Sequence, residues 1–262
     1  MIFEVSVQIL LLLALAGFIA GFIDAIAGGG GLITVPALLL AGLPPVEALA
    51  TNKLQGMCGS GSSVLAYASN GHVDIRKQWL SALASGLASV AGALLATVLP
   101  ADVLNALLPI LLIGIAIYFL IKPNMGDIDR AQRMGPTLFA LTIVPLIGFY
   151  DGAFGPGTGS FFMLAFVSLA GYGVLKATAH TKTLNFASNV GSFLTFAFVG
   201  AIHWKIGLIM GVAQFAGARL GAMFAMKKGA TLIKPLLVVV CILLAVRLLL
   251  NPENPIRTFI GI

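Results

Sequence analysis

Long apolar runs, separated by short clusters of charged residues, proline and glycine, divide this chain into ten segments. The runs lack the alternation of polar and apolar positions over about ten residues that marks the strands of a membrane β-barrel. Their length and composition predict membrane-spanning helices, so the fold class is an all-α integral membrane protein. The predicted segments are residues 6–27, 31–43, 46–70, 78–99 and 102–121, then 136–153, 158–171, 174–200, 205–226 and 230–250.

The two sets of five segments resemble each other. Residues 21–24, Gly-Phe-Ile-Asp, recur as residues 148–151, Gly-Phe-Tyr-Asp, and glycines follow at the same spacing in both copies. The second half must enter the membrane from the opposite side, because five crossings is an odd number, and this predicts an inverted repeat. We expect a first repeat at 1–121, a cytoplasmic linker at 122–135, a second, inverted repeat at 136–251 and an outer C-terminal tail at 252–262.

Lysine and arginine are unevenly distributed among the predicted loops. With ten crossings, most of them fall on one side, which the positive-inside rule assigns to the cytoplasm. Without the short second segment of each half as a crossing, the loop charges would be nearly balanced. Charge therefore favours ten crossings, with both termini on the outer side.

Composition supports this class of protein and excludes others. Hydrophobic residues make up 59% of the chain and charged residues 9%, and the mean hydropathy is +1.05, which leaves too little polar surface for a water-soluble core. The net charge of +6 lies mostly in short loops, so it orients the protein rather than indicating nucleic-acid binding. No zinc-protease motif, nucleophile elbow, dinucleotide-binding motif or Cys/His cluster is present. We expect no enzyme activity, cofactor, metal or nucleic-acid partner.

The second segment of each half is unusually short. Residues 31–43 and 158–171 form at most roughly 20 Å of helix, against a hydrocarbon core about 30 Å thick. Each follows a glycine-rich stretch, so either unwound backbone enters the membrane or the helix lies in a sheltered position. Paired short segments interrupted by glycine indicate a substrate site in transporters.

Asp24 and Asp151 are acidic residues well inside apolar segments. An ionised carboxylate there costs about 3 kcal/mol on insertion scales, so each needs a partner, water or a proton. One interpretation is structural, with the carboxylate accepting hydrogen bonds from backbone N–H groups of the glycine stretch. The other is a direct role in a transport pathway.

The driving force for such transport is not fixed by these residues. An anion can leave a cell down the membrane potential without a coupled ion, so proton coupling stays open.

Segment 174–200 carries a polar stripe. Thr178, Lys182, Asn185 and Asn189 are spaced by four, three and four positions, which places them on one face of a helix. Segment 46–70 has a weaker stripe with Asn52 and Gln55, and Lys53 lies beside it. The two lysines either extend to the membrane surface or contact an anion, and we favour the anion.

Two further ionisable residues have no counterpart in the other half. His180 is either a proton carrier or a hydrogen-bonded histidine near a helix end. Arg219 replaces the apolar residue Leu94 of the first repeat. It either extends to the inner interface or adds a cation to the site.

Inversion predicts which charges share a depth. Asp24 and Lys182 lie toward the inner side, and Asp151 and Lys53 toward the outer side, so we expect these two pairs, with the anion between them. The predicted substrate-binding residues are Gly28, Gly29, Gly30, Asn52, Lys53, Gln55, Gly155, Gly157, Thr158, Thr181, Lys182, Asn185 and Asn189. The predicted charge-pairing or coupling residues are Asp24, Asp151, His180 and Arg219.

The repeated Gly-Phe-x-Asp-x3-Gly-x-Gly motif, the run Ala-Thr-Asn-Lys-Leu-Gln-Gly at residues 50–56 and Ala-Thr-Ala-His-Thr-Lys at residues 177–182 resemble the TauE/SafE sulfite exporter family. The resemblance covers nearly the whole chain. It implies a multi-pass bacterial inner-membrane permease with a sulfur-containing anion, such as sulfite or a sulfonate, as substrate. In that membrane, the outer termini predicted from the charges are periplasmic. The sulfur rests on this resemblance alone.

The expected function is therefore export of a small sulfur-containing oxyanion by alternating access. The alternatives are an anion channel, or a transporter of another small anion or organic acid. The expected partners are the anion and the lipid bilayer, and the oligomeric state stays open.

Overall fold

A computed structural model describes residues 6–98 and 127–229, together with residue 117 and scattered positions between 231 and 246. This part of the chain is helical and contains no strand. Nearly all of the predicted segments 102–121 and 230–250, the start of the linker and the tail 252–262 lie outside the described residues. The division of the chain at 122–135 stays a prediction.

The helices follow the predicted segments closely. Proline occupies the first position of the helices that begin at Pro45 and Pro136, where its missing N–H has no intrahelical partner to lose. The first half contains α1 (Val7–Ala27), α2 (Gly31–Leu40), α3 (Pro45–Ser69) and α4 (Trp79–Ala96). The second half contains α5 (Pro136–Leu141), α6 (Ile143–Ala153), α7 (Thr158–Ser168), α8 (Val174–Val199) and α9 (Trp204–Lys228).

One predicted segment, 136–153, is divided into two helices, α5 and α6. Thr142 lies between them with φ −120° and ψ −65°, outside the helical range. Pro145 explains the break, because it has no N–H to donate to the carbonyl group four residues earlier. The bounds of the predicted segment 136–153 are confirmed, and the break at Thr142 within it was not predicted.

The structure contains helices that are long enough to cross a membrane and helices that are too short to do so. By length and composition, Val7–Ala27, Ile75–Ala96, Pro136–Ala153 and Trp204–Lys228 are long and apolar enough to cross a membrane. Helices α3 and α8 are equally long, with 25 and 26 residues, but carry buried polar side chains. Helices α2 and α7 have 10 and 11 residues, about 15 Å of helix, which confirms that these segments are short.

The outer surface of this bundle is apolar. Leu11 and Leu12 of α1, Leu87 of α4 and Val212 of α9 are more than half exposed. Among the described residues the buried set contains many polar side chains, including asparagines, glutamines, threonines and two lysines. A soluble protein has the reverse distribution. This arrangement fits a protein surrounded by lipid.

Glycines allow close packing within two helix pairs, α1 with α9 and α4 with α6. A Cβ on Gly17 of α1 would lie 2.9 Å from the carbonyl oxygen of Met210 in α9, and one on Gly148 of α6 would lie 2.6 Å from that of Ser85 in α4. Such small-residue contacts are typical of membrane helices. Residue numbers rise together along both pairs, because one turn later Gly21 lies against Gln214 and Gly152 lies against Ser89. Helices α1 and α9 therefore run in the same direction, and so do α4 and α6.

Helices α3 and α8 cross at the centre of the bundle. Gly56 lies against Asn189, and Gly61 lies against Phe186, so the residue numbers change in opposite senses and the two helices are antiparallel. Helix α4 runs parallel to α8, because Ser85 Oγ donates to the carbonyl oxygen of Leu184 at 3.0 Å and Ser89 Oγ to that of Ser188 at 2.7 Å.

The described part of the linker closes the N-terminus of α8. Asp129 Oδ1 accepts the N–H of Gly173 at 2.8 Å, and Asp127 Oδ1 accepts that of Leu175 at 3.0 Å. These N–H groups belong to the first turn, which has no intrahelical acceptors. The hydrogen bond from Gly173 and the ammonium group of Lys176 lower the pKa of Asp129 below its usual value. The linker thus fixes the start of the helix that carries the polar stripe.

Candidate functional site

Two interruptions of the helices lie at the centre of the protein. Residues 28–30, the first break, separate α1 from α2, and Gly28 and Gly29 there have φ values of 77° and 94°. Residues 154–157, the second break, separate α6 from α7, with Gly155 and Gly157 at 86° and 88°. Glycine adopts positive φ without steric cost. The glycines of the repeated motif therefore allow α2 and α7 to begin inside the bundle.

The two breaks contact each other. A Cβ on Gly28 would lie 2.5 Å from the backbone of Gly159 and Ser160, so only a glycine fits at this position without displacement. Ser160 Oγ also donates to the carbonyl oxygen of Ala27 at 3.1 Å. The start of α7 is therefore held against the end of α1 from the other half.

Asp24 lies one turn before the first break and pairs with Lys182 of α8. Asp24 Oδ2 lies 2.9 Å from Lys182 Nζ, and the lysine side chain has no exposed surface. The ammonium group also contacts the backbone carbonyl oxygen of Asp24. Asp24 Oδ1 accepts the N–H of Gly30 at 3.1 Å. Both carboxylate oxygens of Asp24 are therefore satisfied by the protein, and the predicted pair with Lys182 is confirmed.

Asp151 holds the equivalent position before the second break and pairs with Lys53 of α3. Its Oδ1 atom lies 2.9 Å from Lys53 Nζ, and it also accepts the hydroxyl group of Thr158 at 2.8 Å. The ammonium group of Lys53 also contacts the backbone carbonyl oxygen of Asp151. This second predicted pair is confirmed as well. Each of these ion pairs joins the two halves of the chain.

A small cavity of about 30 Å³ lies where the two breaks meet, and we call it the central cavity. This volume holds about two or three water molecules. Its lining residues are Asp24, Gly29, Gly30, Gly31, Asn52, Gly56, Asp151, Gly155, Gly157, Thr158, Gly159, Asn185, Asn189 and Gln214. They come from both breaks, from the helices α1, α2, α6 and α7 that flank the breaks, and from α3, α8 and α9, and all of them are polar or glycine.

Most predicted site residues reach the central cavity, and five of the predicted substrate-binding residues do not. Gly28 packs against Gly159, Gln55 donates to Asn52 Oδ1 at 3.0 Å, and Thr181 is buried on α8 away from the lining. Lys53 and Lys182 lie behind the aspartates, because each ammonium group is occupied by a carboxylate and a carbonyl oxygen. Each ammonium group has three N–H donors and these two acceptors use two of them, so direct contact between the lysines and an anion stays a prediction.

His180 and Arg219 also lie away from the central cavity. The His180 ring packs against Tyr172, with ring centroids 4.8 Å apart, near the start of α8. Arg219 is exposed on α9, because the neighbouring glycines Gly217 and Gly221 turn the opposite face of that helix toward α1. The structure thus gives Arg219 no position as a cation of the site.

Sequence reasoning missed Gln214, together with Gly31, Gly56 and Gly159. Gln214 is 3% exposed, and its Oε1 atom accepts no hydrogen bond within the described residues. The sequence contained a signal for Gln214, because it is a polar side chain within an apolar run. The equivalent position of the first repeat, Ser89, is also polar.

The cavity offers hydrogen-bond donors from the backbone. Helices α2 and α7 both begin at it, and the N–H groups of Gly29, Gly31, Gly157 and Gly159 donate no hydrogen bond within the described part of the chain. The N-terminus of a helix leaves such groups free and carries a partial positive charge, so it favours anions. Two such N-termini at one cavity form a site suited to a small anion. No group of three His, Cys, Asp or Glu side chains within the described residues is arranged to hold a metal.

Comparison with known proteins identifies relatives along the full length of the chain. Probable membrane transporter protein ORF9 of a Sinorhizobium species is 62% identical over 258 residues, which cover 98% of this chain and 99% of that protein. Probable membrane transporter protein YfcA of Escherichia coli K12 is 46% identical over 253 residues, covering 97% and 94%. A probable membrane transporter protein of Haemophilus influenzae is 45% identical over 245 residues, covering 94% and 96%.

No solved structure matches this chain. The family model described as sulfite exporter TauE/SafE matches residues 13–248. This match spans most of the chain, includes both breaks, and confirms the resemblance found in the sequence motifs. The protein belongs to the sulfite exporter TauE/SafE family.

Proposed function

We propose that this protein is an inner-membrane transporter that exports small sulfur-containing oxyanions, such as sulfite or sulfonates, by alternating access. The observation that carries the proposal is the central cavity, where two helix N-termini from different halves meet beside two buried Lys–Asp pairs. The names of the relatives, which describe membrane transporters, favour transport over enzymatic activity. The sulfur-containing substrate class is taken from the family.

The charges around the cavity support a monovalent anion. Lys53 and Lys182 are each neutralised by an aspartate, so the four side chains have no net charge. Each helix N-terminus contributes the equivalent of about half a positive charge, so α2 and α7 together balance about one negative charge. Free N–H groups supply hydrogen bonds to oxygen atoms, which sulfite and sulfonates present on one small group.

The size of the cavity supports a carrier more than a channel. A channel holds a continuous water-filled path, whereas the central cavity has room for about two or three water molecules and its lining is largely buried. The site must open for an anion to enter, and a carrier opens to one side at a time. Binding near the midplane between two repeats is the usual arrangement in such transporters.

The directions of the helices support ten crossings with inverted repeats. Helices α1, α3 and α9 share one direction, since Gly207 and Gly211 of α9 lie against Leu54 and Cys58 of α3 in rising order. Helices α4, α6 and α8 share the opposite direction. Corresponding helices of the two halves, such as α3 and α8, are therefore antiparallel, as an inverted repeat requires.

The transport test uses the purified protein in liposomes with labelled sulfite outside and unlabelled sulfite or methanesulfonate inside. We expect saturable uptake that is accelerated by the internal anion. Asn189→Leu replaces a lining amide by an apolar side chain of similar size, and losing hydrogen bonds to a charged ligand is expected to lower uptake about tenfold or more. Uptake that does not saturate indicates a channel, and no flux of any small anion refutes the proposal.

The topology test follows from the same inversion. With both termini periplasmic, a single cysteine introduced at Arg76 or Lys228 is expected to be shielded from a membrane-impermeant maleimide in intact cells and labelled after lysis. A C-terminal reporter that is active only in the cytoplasm is expected to stay silent, and a periplasmic reporter to be active. Strong cytoplasmic activity at the C-terminus contradicts ten crossings.

A further inference from the structure

We infer that Asp151 is the proton-binding residue of the transport cycle and takes up one proton when the bound anion carries two charges. Asp24, its counterpart in the first half, stays ionised throughout. The transported complex then carries one net negative charge, whether the substrate is a monoanion alone or a dianion with a proton. This inference rests on the proposed function, because it assumes that an anion occupies the central cavity.

The two aspartates differ in how their oxygens are satisfied. Asp24 Oδ1 accepts the N–H of Gly30 at 3.1 Å, and Oδ2 pairs with Lys182 at 2.9 Å. In Asp151, Lys53 Nζ and the hydroxyl group of Thr158 both contact Oδ1, and this hydroxyl group shares its one hydrogen with the carbonyl oxygen of Gly155 at 2.7 Å. Asp151 Oδ2 is buried and has no hydrogen-bond partner, in a side chain that is 3% exposed and lines the cavity. The symmetry of the repeat is therefore broken at Oδ2 of Asp151, on a side chain that lines the central cavity.

An unsatisfied buried carboxylate oxygen needs a donor from the cavity. A singly protonated anion can supply an O–H group to Asp151 Oδ2. A dianion has no such hydrogen and places its own oxygen atoms against this carboxylate. A proton on Oδ2 changes the contact from repulsion into a hydrogen bond from Asp151 to the anion.

The balance between the charge of the anion and the charges around the cavity also indicates Asp151. The cavity compensates one negative charge through the N-termini of α2 and α7, because the lysines and aspartates cancel each other. The second charge of a dianion is compensated when one aspartate becomes neutral. Neutralising either aspartate weakens its pair with a lysine, but a proton can enter on Oδ2 of Asp151 without displacing a donor, whereas both oxygens of Asp24 already accept one.

The other ionisable groups around Asp151 are held by partners of their own, so Asp151 is the group whose protonation can change. The neighbouring helices α4, α5 and α7 contain no ionisable side chain. From α3, Lys53 pairs with Asp151 itself, while Glu47 pairs with His203. From α8, Lys182 is held by Asp24, whereas Lys176 and His180 pack around Tyr172 near the start of that helix. Next to Asp151 in α6, the hydroxyl group of Tyr150 donates to the carbonyl oxygen of Pro156 at 2.7 Å.

The cycle balances in protons and charge. With a dianion bound, Asp151 takes one proton from the side that the cavity faces, and after the change of access the anion and the proton leave together. With a sulfonate bound, Asp151 remains ionised and the anion crosses alone. No oxidant, reductant or bond rearrangement is involved.

The experiment measures the number of protons moved per anion in liposomes that contain a pH-sensitive dye. Sulfite is supplied at alkaline pH, where it is a dianion, and methanesulfonate is the monoanion without a proton. For the unmodified protein we expect about one proton per sulfite and none per methanesulfonate. Asp151→Asn is expected to move sulfite with no proton, and the matched variant Asp24→Asn to keep a ratio of about one despite slower transport.

Infrared difference spectra supply a second measurement that needs no variant of Asp151. Adding sulfite at alkaline pH is expected to produce the C=O band of a protonated carboxyl group, in the unmodified protein and in Asp24→Asn, and methanesulfonate to produce none. Sulfite flux without protons in the unmodified protein, proton movement that persists in Asp151→Asn, or a missing band each overturns the inference alone. If neither anion crosses, the proposed function has failed instead.

Discussion

Replacing Lys182 by methionine is expected to destabilise the protein by about 3–5 kcal/mol, because it leaves a buried carboxylate without its cation. Lys182 is fully buried and its Nζ atom lies 2.9 Å from Asp24 Oδ2, and a methionine side chain carries no charge to balance this carboxylate. Thermal unfolding of the purified protein in detergent measures the effect. We expect a large fall in the unfolding temperature and much slower anion transport.

A second substitution separates the stability of the pair from its role in transport. Asp24→Asn combined with Lys182→Met removes both charges, and replacing a whole buried ion pair is often nearly neutral for stability. We expect the double variant to recover most of the unfolding temperature but little of the transport, because the first break loses its charged anchor. A double variant that transports normally contradicts a role for this pair at the site.

Lys176→Met is the matched control, because Lys176 lies on the same helix and also pairs with an aspartate. Its ion pair with Asp129 is exposed, with 42% and 49% of the two side chains accessible. An exposed pair contributes about 1 kcal/mol or less. We expect a small shift of the unfolding temperature in this variant, and a shift as large as that of Lys182→Met is incompatible with our interpretation of burial.

The helices were largely predictable from the sequence because their boundaries depend on local signals. Pro45 begins α3 and Gly200 ends α8, and both signals act within the chain segment itself, whatever the surrounding fold. The break at Thr142 was missed, although Pro145 signals it, because an apolar run of 18 residues hides a single missing N–H. Which helices contact each other depends on tertiary packing, and only the inversion gave any indication of it.

The pairing of charges was predictable, but the direction in which each side chain points was not. Inversion placed Asp24 and Lys182 at one depth and Asp151 and Lys53 at the other, which gave both ion pairs. The same argument expected the lysines to contact the anion. That contact stays a prediction, and the structure adds that both ammonium groups contact backbone carbonyl oxygens near the helix ends, which depends on the three-dimensional position of the breaks.

The place of Gln214 also depends on packing. It lies on α9 and reaches the central cavity because Gly59 of α3 and Gly21 of α1 leave space around its side chain. A pattern within one segment does not show such space, since the three residues belong to three helices. The sequence indicates a buried amide, and the fold assigns it to the cavity.

Replacing Gly28 by alanine is expected to abolish transport and to lower the yield of folded protein. Two independent effects add at this position. Its φ of 77° and ψ of 170° lie in a region that is essentially restricted to glycine, and this conformation costs an alanine about 1–3 kcal/mol. A Cβ would also lie 2.5 Å from the backbone of Gly159 and Ser160, and backbone atoms at a helix start cannot move aside as a flexible side chain does.

Gly31→Ala in the same stretch is the matched control. Gly31 does not have a positive φ, and the nearest atom to its Cβ would be Asn52 Nδ2 at 3.4 Å, an ordinary contact. We expect this variant to fold and unfold like the unmodified protein, with transport lowered through the methyl group at the edge of the central cavity. Gly28→Ala is expected to lose its monodisperse peak in size-exclusion chromatography and its anion uptake. Normal stability and flux in Gly28→Ala would show that the two breaks move past each other freely, which contradicts a packed contact between the halves at the site.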